Sequence, residues 1–208
     1  MSANLARSSA HYRGLAPRYD HYTRRIDRIR ERAIEALALV PGESVLDAGC
    51  GTGWCLPQLA RRVGAGGRVL GFDASPEMLA IARTRMHESG AAPVTLILAN
   101  AQAAQLPVPV DAILFSFTHD LLRSGTALAN VLRQARPGAR VVATGTKLFA
   151  RWLLPANWYL RYSHREYITD FEGLAAPWSL LAQRLDDFRV TERAWTPHYI
   201  ATGRVRAA

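Results

Sequence analysis

The chain has 208 residues, 49% of them hydrophobic and 21% charged, with a formal net charge of +9. A chain of this length buries roughly 70% of its unfolded surface and needs no disulfides to fold, and the sequence holds no internal repeats or low-complexity tracts. The two cysteines, Cys50 and Cys55, are too few for a zinc site or a disulfide framework, and no run approaches the ~18 apolar residues of a membrane span.

The first residues have no apolar core segment of the signal-peptide kind, and the expected location is cytoplasmic. Lys147 is the only lysine among 26 basic residues. The arginines are scattered rather than clustered, which argues against nucleic acid as a partner. Residues 1–22 are polar and aromatic. From Thr23 to about Leu39 the apolar residues Ile26, Ile29, Ala33 and Leu37 recur at helical spacing, with Thr23 able to cap. Pro41-Gly42 ends this segment. Strand-like and helical stretches then alternate. Strands are predicted at Ser44–Asp47, Arg68–Asp73, Val94–Ala99, Asp111–Phe117 and Arg140–Gly145. Helices are predicted near Leu56–Val63, from Pro76 to about Glu88, and near Thr126–Gln134. Such alternation predicts βαβ units and a parallel sheet. After Gly145 the pattern changes. Residues 147–170 carry Phe149, Trp152, Leu153, Leu154, Trp158, Tyr159, Tyr162 and Tyr167 and read as an inserted aromatic cap. A helix is expected near Ala176–Leu185, then two strands, Phe188–Trp195 and His198–Val205.

The residues richest in chemistry are Val45-Leu46-Asp47-Ala48-Gly49-Cys50-Gly51-Thr52-Gly53, directly after the first strand. Glycines there let the backbone turn sharply and approach a ligand, and the following helix N-terminus suits a carboxylate. A dinucleotide fingerprint requires glycine at position 54, where Trp54 stands, and no phosphate-cradling G-K-S/T occurs. Asp73 ends the second strand, where a carboxylate can accept both hydroxyls of a ribose. The bland alternatives are a turn needing positive φ for the glycines and a helix cap for Asp73. Ser75-Pro76-Glu77 can supply that cap instead.

With PGESVLDAGCGTG, GFDASPEML and RPGARVV, the segment from Pro41 to Gly145 resembles class I methyltransferases that use S-adenosylmethionine (SAM) and release S-adenosylhomocysteine (SAH). The resemblance implies a three-layer αβα sandwich, Rossmann-like, with a mostly parallel seven-stranded sheet whose C-terminal pair is antiparallel. It is expected to be one domain over 1–208, with an N-terminal lid over 1–40. The resemblance implies cofactor contacts from Asp47, Gly49, Cys50, Gly51, Gly53, Asp73, Ala74, Met78 and Ser116. Where the family often has an acidic residue followed by alanine near the adenine, this chain has Asn100-Ala101. A plain turn role for Asn100 is equally open. LAPRYDHY is similar to the segment preceding the first motif in quinone-biosynthesis and phospholipid N-methyltransferases, which makes Tyr19 a candidate to close over SAM.

Methyl transfer needs a base only if the acceptor must lose a proton. Of Ser116, Phe117, Thr118, His119 and Asp120, just past the fourth strand, His119 suits that role by its near-neutral pKa. His119 or Asp120 capping the next helix is the plainer alternative. No Asn/Asp-Pro-Pro-aromatic sequence follows that strand, and no acidic cluster marks a metal site, so no metal is expected. The acceptor expected is a small molecule, quinone- or phenol-like or polyketide-like, or an amine or lipid headgroup. The cap aromatics would line its pocket or form a satellite core. Arg151, Arg161 and Arg165 suit an acidic acceptor or a peripheral contact with an anionic membrane, or are solvated charge. Rival readings are a catalytically inactive SAM-binding sensor or partner subunit, and an NAD-dependent oxidoreductase, which Trp54 disfavours. Monomer and homodimer are both open.

Overall fold

Ser44–Ala48 (β1) is buried along its whole length, as an apolar run covered on both faces should be. The computed structural model describes residues 23–89, 94–150, 152–164, 172–192 and 195–206. Tyr19, the rest of the proposed lid through residue 22, Arg151, Arg165 and the cap from 165 to 170 lie outside them.

A short 3-10 turn, Arg24–Ile26, runs into α1 (Asp27–Ala36). Then follow β1, α2 (Leu56–Val63), β2 (Arg68–Asp73), α3 (Pro76–Ser89), β3 (Val94–Leu98), β4 (Val110–Ser116), α4 (His119–Leu122), α5 (Gly125–Leu132), β5 (Ala135–Thr146), α6 (Leu154–His164), α7 (Ser179–Ala182), β6 (Leu185–Glu192) and β7 (His198–Val205). The sheet order is β3-β2-β1-β4-β5-β7-β6. β1 to β5 pair in parallel, and β7 runs antiparallel to both β5 and β6. The expected mostly parallel seven-stranded sheet with an antiparallel C-terminal pair is therefore present.

Two apolar layers sandwich it. On one face Val45, Val69, Leu114 and Val142 meet Ala33, Ile34 and Leu37 of the α1 segment, Leu56, Leu59 and Val63 of α2, and Leu79 and Ala82 of α3. On the other face Leu46, Phe72, Phe115, Val141 and Tyr199 meet Leu122, Leu128, Val131 and Leu181. Because β4 returns to lie beside β1 after β2 and β3 have built outward, the chain reverses direction across the sheet between β1 and β4. Open α/β sheets form their ligand crevice at such a reversal, outside the carboxyl ends of the strands.

Several boundaries differ from expectation. The helix expected over 176–185 contracts to Ser179–Ala182, because Leu185 enters β6 opposite Val205 and Pro177 and Gly173, the latter at φ 75°, belong to turns before it. β6 starts three residues early, around an irregularity at Asp187, whose φ is 51°. β5 also begins early, at Ala135. The Pro137-Gly138 turn sits inside its register shift, between the Val110↔Ala135 and Ala112↔Arg140 pairs, and so behaves as a bulge.

Candidate functional site

The glycine-rich turn leaves the carboxyl end of β1 and crosses toward β2. Cys50 N–H donates to Phe72 O at 2.9 Å, and Gly53 N–H closes back on Cys50 O at 2.9 Å. Gly51 N–H donates to Asp73 Oδ2 at 2.9 Å, while Asp73 Oδ1 accepts Ser75 N–H at 2.9 Å. Asp73 thus fastens the turn to the end of β2 through one oxygen and starts the α3 turn through the other. Capping falls to Ser75, whose Oγ accepts Met78 N–H at 3.3 Å. Arg85 of α3 adds a third tie, donating to Thr52 O at 2.7 Å.

The glycines serve different ends. A Cβ on Gly53, which has φ 75°, would stand 2.9 Å from Ala82 Cβ and 3.1 Å from Ala82 Cα. Packing of α3 alone therefore demands glycine there. Gly53→Ala is expected to cost about 2–4 kcal/mol, combining left-handed strain and overpacking; thermal unfolding checks this, and an unchanged Tm would refute it. A Cβ on Gly49 would lie 2.7 Å from Thr118 Cγ2. Gly51, at φ 54°, differs: among the described residues nothing lies within 4 Å of where its Cβ would point. Its bare backbone borders open space, which a side chain would fill.

Asp47 is 1% exposed in the central strand. Burial pushes its pKa up to about 7; Arg30 opposes this, and the negative charge of Asp73 adds to it. Burial likewise raises Asp73, against the backbone N–H groups that favour its charged form. Cys50 is buried, its thiol pushed up by desolvation and the two nearby carboxylates. Cys50 also fixes its neighbour, since a Cβ on Gly71 would sit 3.0 Å from its Sγ. Met78 and Ala101 are buried and Ala74 is exposed.

Asn100 is engaged in a turn: Oδ1 accepts the N–H groups of Gln102 and Ala103, both at 3.0 Å. That leaves its NH2 group for any ligand. Asn130 of α5 ties down the same loop, donating to Ala101 O and Ala104 O at 2.9 Å each.

Past β4, neither His119 nor Asp120 caps a helix, contrary to the plainer expectation. Thr118 precedes α4 without a side-chain cap bond, and Ser124 caps α5 by accepting Ala127 N–H. Thr23 makes no capping bond either. Ser116 adjoins the buried thiol of Cys55. Among the described residues Thr118 Oγ1, buried beside Gly49, has no hydrogen-bond partner. Phe117 adopts φ 58°, costly for a non-glycine residue and characteristic of functional sites.

Sequence reasoning missed Arg30. It is buried, its guanidinium 5.2 Å from the Trp54 ring centroid and 5.6 Å from that of Phe117, with Asp27 at 3.4 Å. The buried stripe of the α1 segment is Arg30, Ala33, Ile34 and Leu37, spaced i, i+3, i+4, i+7. An arginine completing an apolar stripe was the available signal. His198 was missed as well; it opens β7 opposite Thr146 and meets Phe117 edge-on at 5.8 Å. Among the described residues no three His, Cys, Asp or Glu gather as metal ligands, and no helix is long and apolar enough to cross a membrane.

A bare backbone at Gly51, an acidic strand end fastened to it, and an orphaned hydroxyl at Thr118 together fit a nucleoside with an amino acid arm, as SAM has. Comparison with known proteins agrees. Residues 45–138 match the family model described as "Methyltransferase domain". The chain is 32% identical over 172 residues to a demethylmenaquinone methyltransferase of Tropheryma whipplei strain Twist, covering 80% of this chain and 69% of that one. A SAM dependent methyltransferase from Aquifex aeolicus superposes with a TM-score of 0.61 at 25% identity, over 85% of this chain and 89% of that one. The N-methyltransferase NodS from Bradyrhizobium japonicum, solved with S-adenosyl-L-homocysteine, shares the fold at TM-score 0.66 and 16% identity, over 95% and 97% of the two chains. The chain belongs to the class I SAM-dependent methyltransferases, and SAM is its cofactor. Its matched stretch spans from 32% to 58% of the length of the first curated relatives.

Proposed function

We propose that this methyltransferase acts on a small quinone- or phenol-like acceptor held at the carboxyl ends of β4 and β5. The observation that carries the reading is the open backbone at Gly51, fastened by Asp73 at the reversal point of the sheet. The name of the Tropheryma whipplei relative, a demethylmenaquinone methyltransferase, supports the acceptor class.

Bound SAM supplies a methyl group already activated on a positive sulfur, so the protein's work is alignment and exclusion of water. In this reading Asp73 holds the ribose hydroxyls with the lone pairs its backbone donors leave free. Asp47, Gly49, Cys50, Gly51 and Gly53 surround the amino acid arm, and buried Arg30 faces its carboxylate. Ala74 and Met78 flank the sugar, and the Asn100 NH2 group and Ala101 meet the adenine. Ser116, Tyr19 and the lid complete the cofactor's surroundings. Phe117, pinned by Arg30 and His198, separates donor from acceptor.

His119 takes the acceptor's proton. Its replacement by alanine is expected to lower kcat on a phenolic acceptor about 100-fold, with SAH affinity unchanged. Turnover of labelled SAM over naphthoquinols, phenols and amines tests both claims. Activity surviving His119→Ala within a few-fold would discard the base. Tight SAM binding with no transfer to any acceptor would replace the enzyme by a sensor.

A further inference from the structure

The inner side of α6 is held by the buried Leu160 and by Asn157, whose Oδ1 accepts Phe149 N–H at 2.8 Å while its Nδ2 donates to Phe149 O at 3.3 Å. This anchoring turns Leu154, Trp158 and Tyr162, spaced i, i+4 and i+8, toward solvent, with Tyr159 beside them. Trp158 is 70% exposed, and Trp195 of the β6–β7 connection is 72% exposed. Trp152 joins the two elements, meeting Trp195 edge-on at 5.5 Å, and Trp158 stacks on Tyr162 at 6.0 Å.

We propose that this aromatic face, α6 together with Trp152 and Trp195, docks on an anionic lipid bilayer. Four considerations carry it. Burying large side chains is the dominant favourable term in folding, yet here six of them cluster at the surface, more than scattered exposure explains. Their kind is specific, because tryptophan and tyrosine join an apolar body to a polar tip and settle at the headgroup level of membranes. Their ring contacts already hold the side chains in place, which lowers the ordering cost of docking. Finally, charge selects the occupant: two copies of a chain carrying +9 repel each other, whereas an anionic surface attracts it.

The location gives the face a purpose. His198 lies opposite Thr146, just past which Lys147 N–H donates to Pro197 O at 2.8 Å, so Trp195 and the Trp152 that meets it stand near the carboxyl edge of β5. Docking there would bring the crevice to the membrane, and this consequence alone rests on the acceptor proposed above.

Sedimentation with phosphatidylglycerol–phosphatidylcholine vesicles and tryptophan emission, both without cofactor, test the docking. Wild-type protein should pellet with these vesicles, shift its emission to the blue, and release as salt rises. The triple variant Trp152→Ala, Trp158→Ala, Trp195→Ala should bind at least about 10-fold more weakly. Trp158→Glu alone, a change at an exposed site, should weaken binding too and serves if the triple variant does not fold. Wild-type protein left in the supernatant, equal binding to pure phosphatidylcholine, or vesicle binding untouched by these substitutions would overturn the proposal. So would a dimer in analytical ultracentrifugation that the substitutions dissolve. SAH calorimetry on the same samples reads the cofactor site separately, so failure of docking leaves that reading standing.

Discussion

Replacing Asp73 with alanine is expected to raise the dissociation constant for SAM about 10- to 100-fold. A hydrogen bond to a charged group contributes roughly 1.5–3 kcal/mol, and Asp73 has two tasks at once. Its oxygens accept Gly51 N–H and Ser75 N–H at 2.9 Å each, so in the proposed reading its loss removes both the ribose acceptor and the tie that shapes the glycine turn. Asp73→Asn keeps one acceptor oxygen and gives up the charge, so it should fall between wild type and alanine. Calorimetric titration with SAH measures the series, with far-UV circular dichroism confirming the fold. Equal affinity for all three proteins would remove Asp73 from the ribose.

The second large effect belongs to Asp47 and reads out with pH. Its carboxyl is pushed from an ordinary 3.8 up to about 7, first by burial. The folded state therefore holds a proton that the unfolded chain has released. The resulting stability is fully present below about pH 4 and is lost as pH rises through about 7, on the order of 4 kcal/mol in all. Asp47→Asn cannot titrate. Relative to wild type it should gain stability between pH 5 and pH 8, as urea unfolding at each pH would register. A cationic cofactor favours the ionised carboxylate, so wild-type affinity for SAM should climb over the same interval while the Asn variant's stays flatter. A stability difference constant from pH 5 to 8 would mean that Asp47 titrates as an ordinary aspartate.

Much of this molecule can be read from its residues, and the parts that cannot have physical causes. The alternation of apolar runs with helical spacing located β1 to β5 and their helices, most plainly β1, β2 and β4, because strands buried on both faces are nearly continuous in apolar residues. The Gly49–Gly53 turn and Asp73 stood out because few other functions need that pattern beside a strand end. Boundaries failed where local conformation overrode pattern: at Asp187 with its positive φ, and at Pro137-Gly138, which bulges within β5 instead of starting it. Arg30 escaped because charge argues for exposure, and only the tertiary meeting of α1 with Trp54 and Phe117 makes burial of a guanidinium tolerable. The same meeting explains Trp54: where a dinucleotide fold would place glycine, this chain places an indole that holds the arginine.

The contact between Gly49 and Thr118 has a mechanical consequence. The turn on the donor's side and the turn leading to His119 share a single wall with no slack, since even one added carbon at residue 49 would collide with the threonine methyl at 2.7 Å. Neither turn can shift inward alone, so a displacement of the glycine turn is felt one residue from the imidazole. Trimming that wall with Thr118→Ser would loosen the linkage while leaving every group on either side chemically intact.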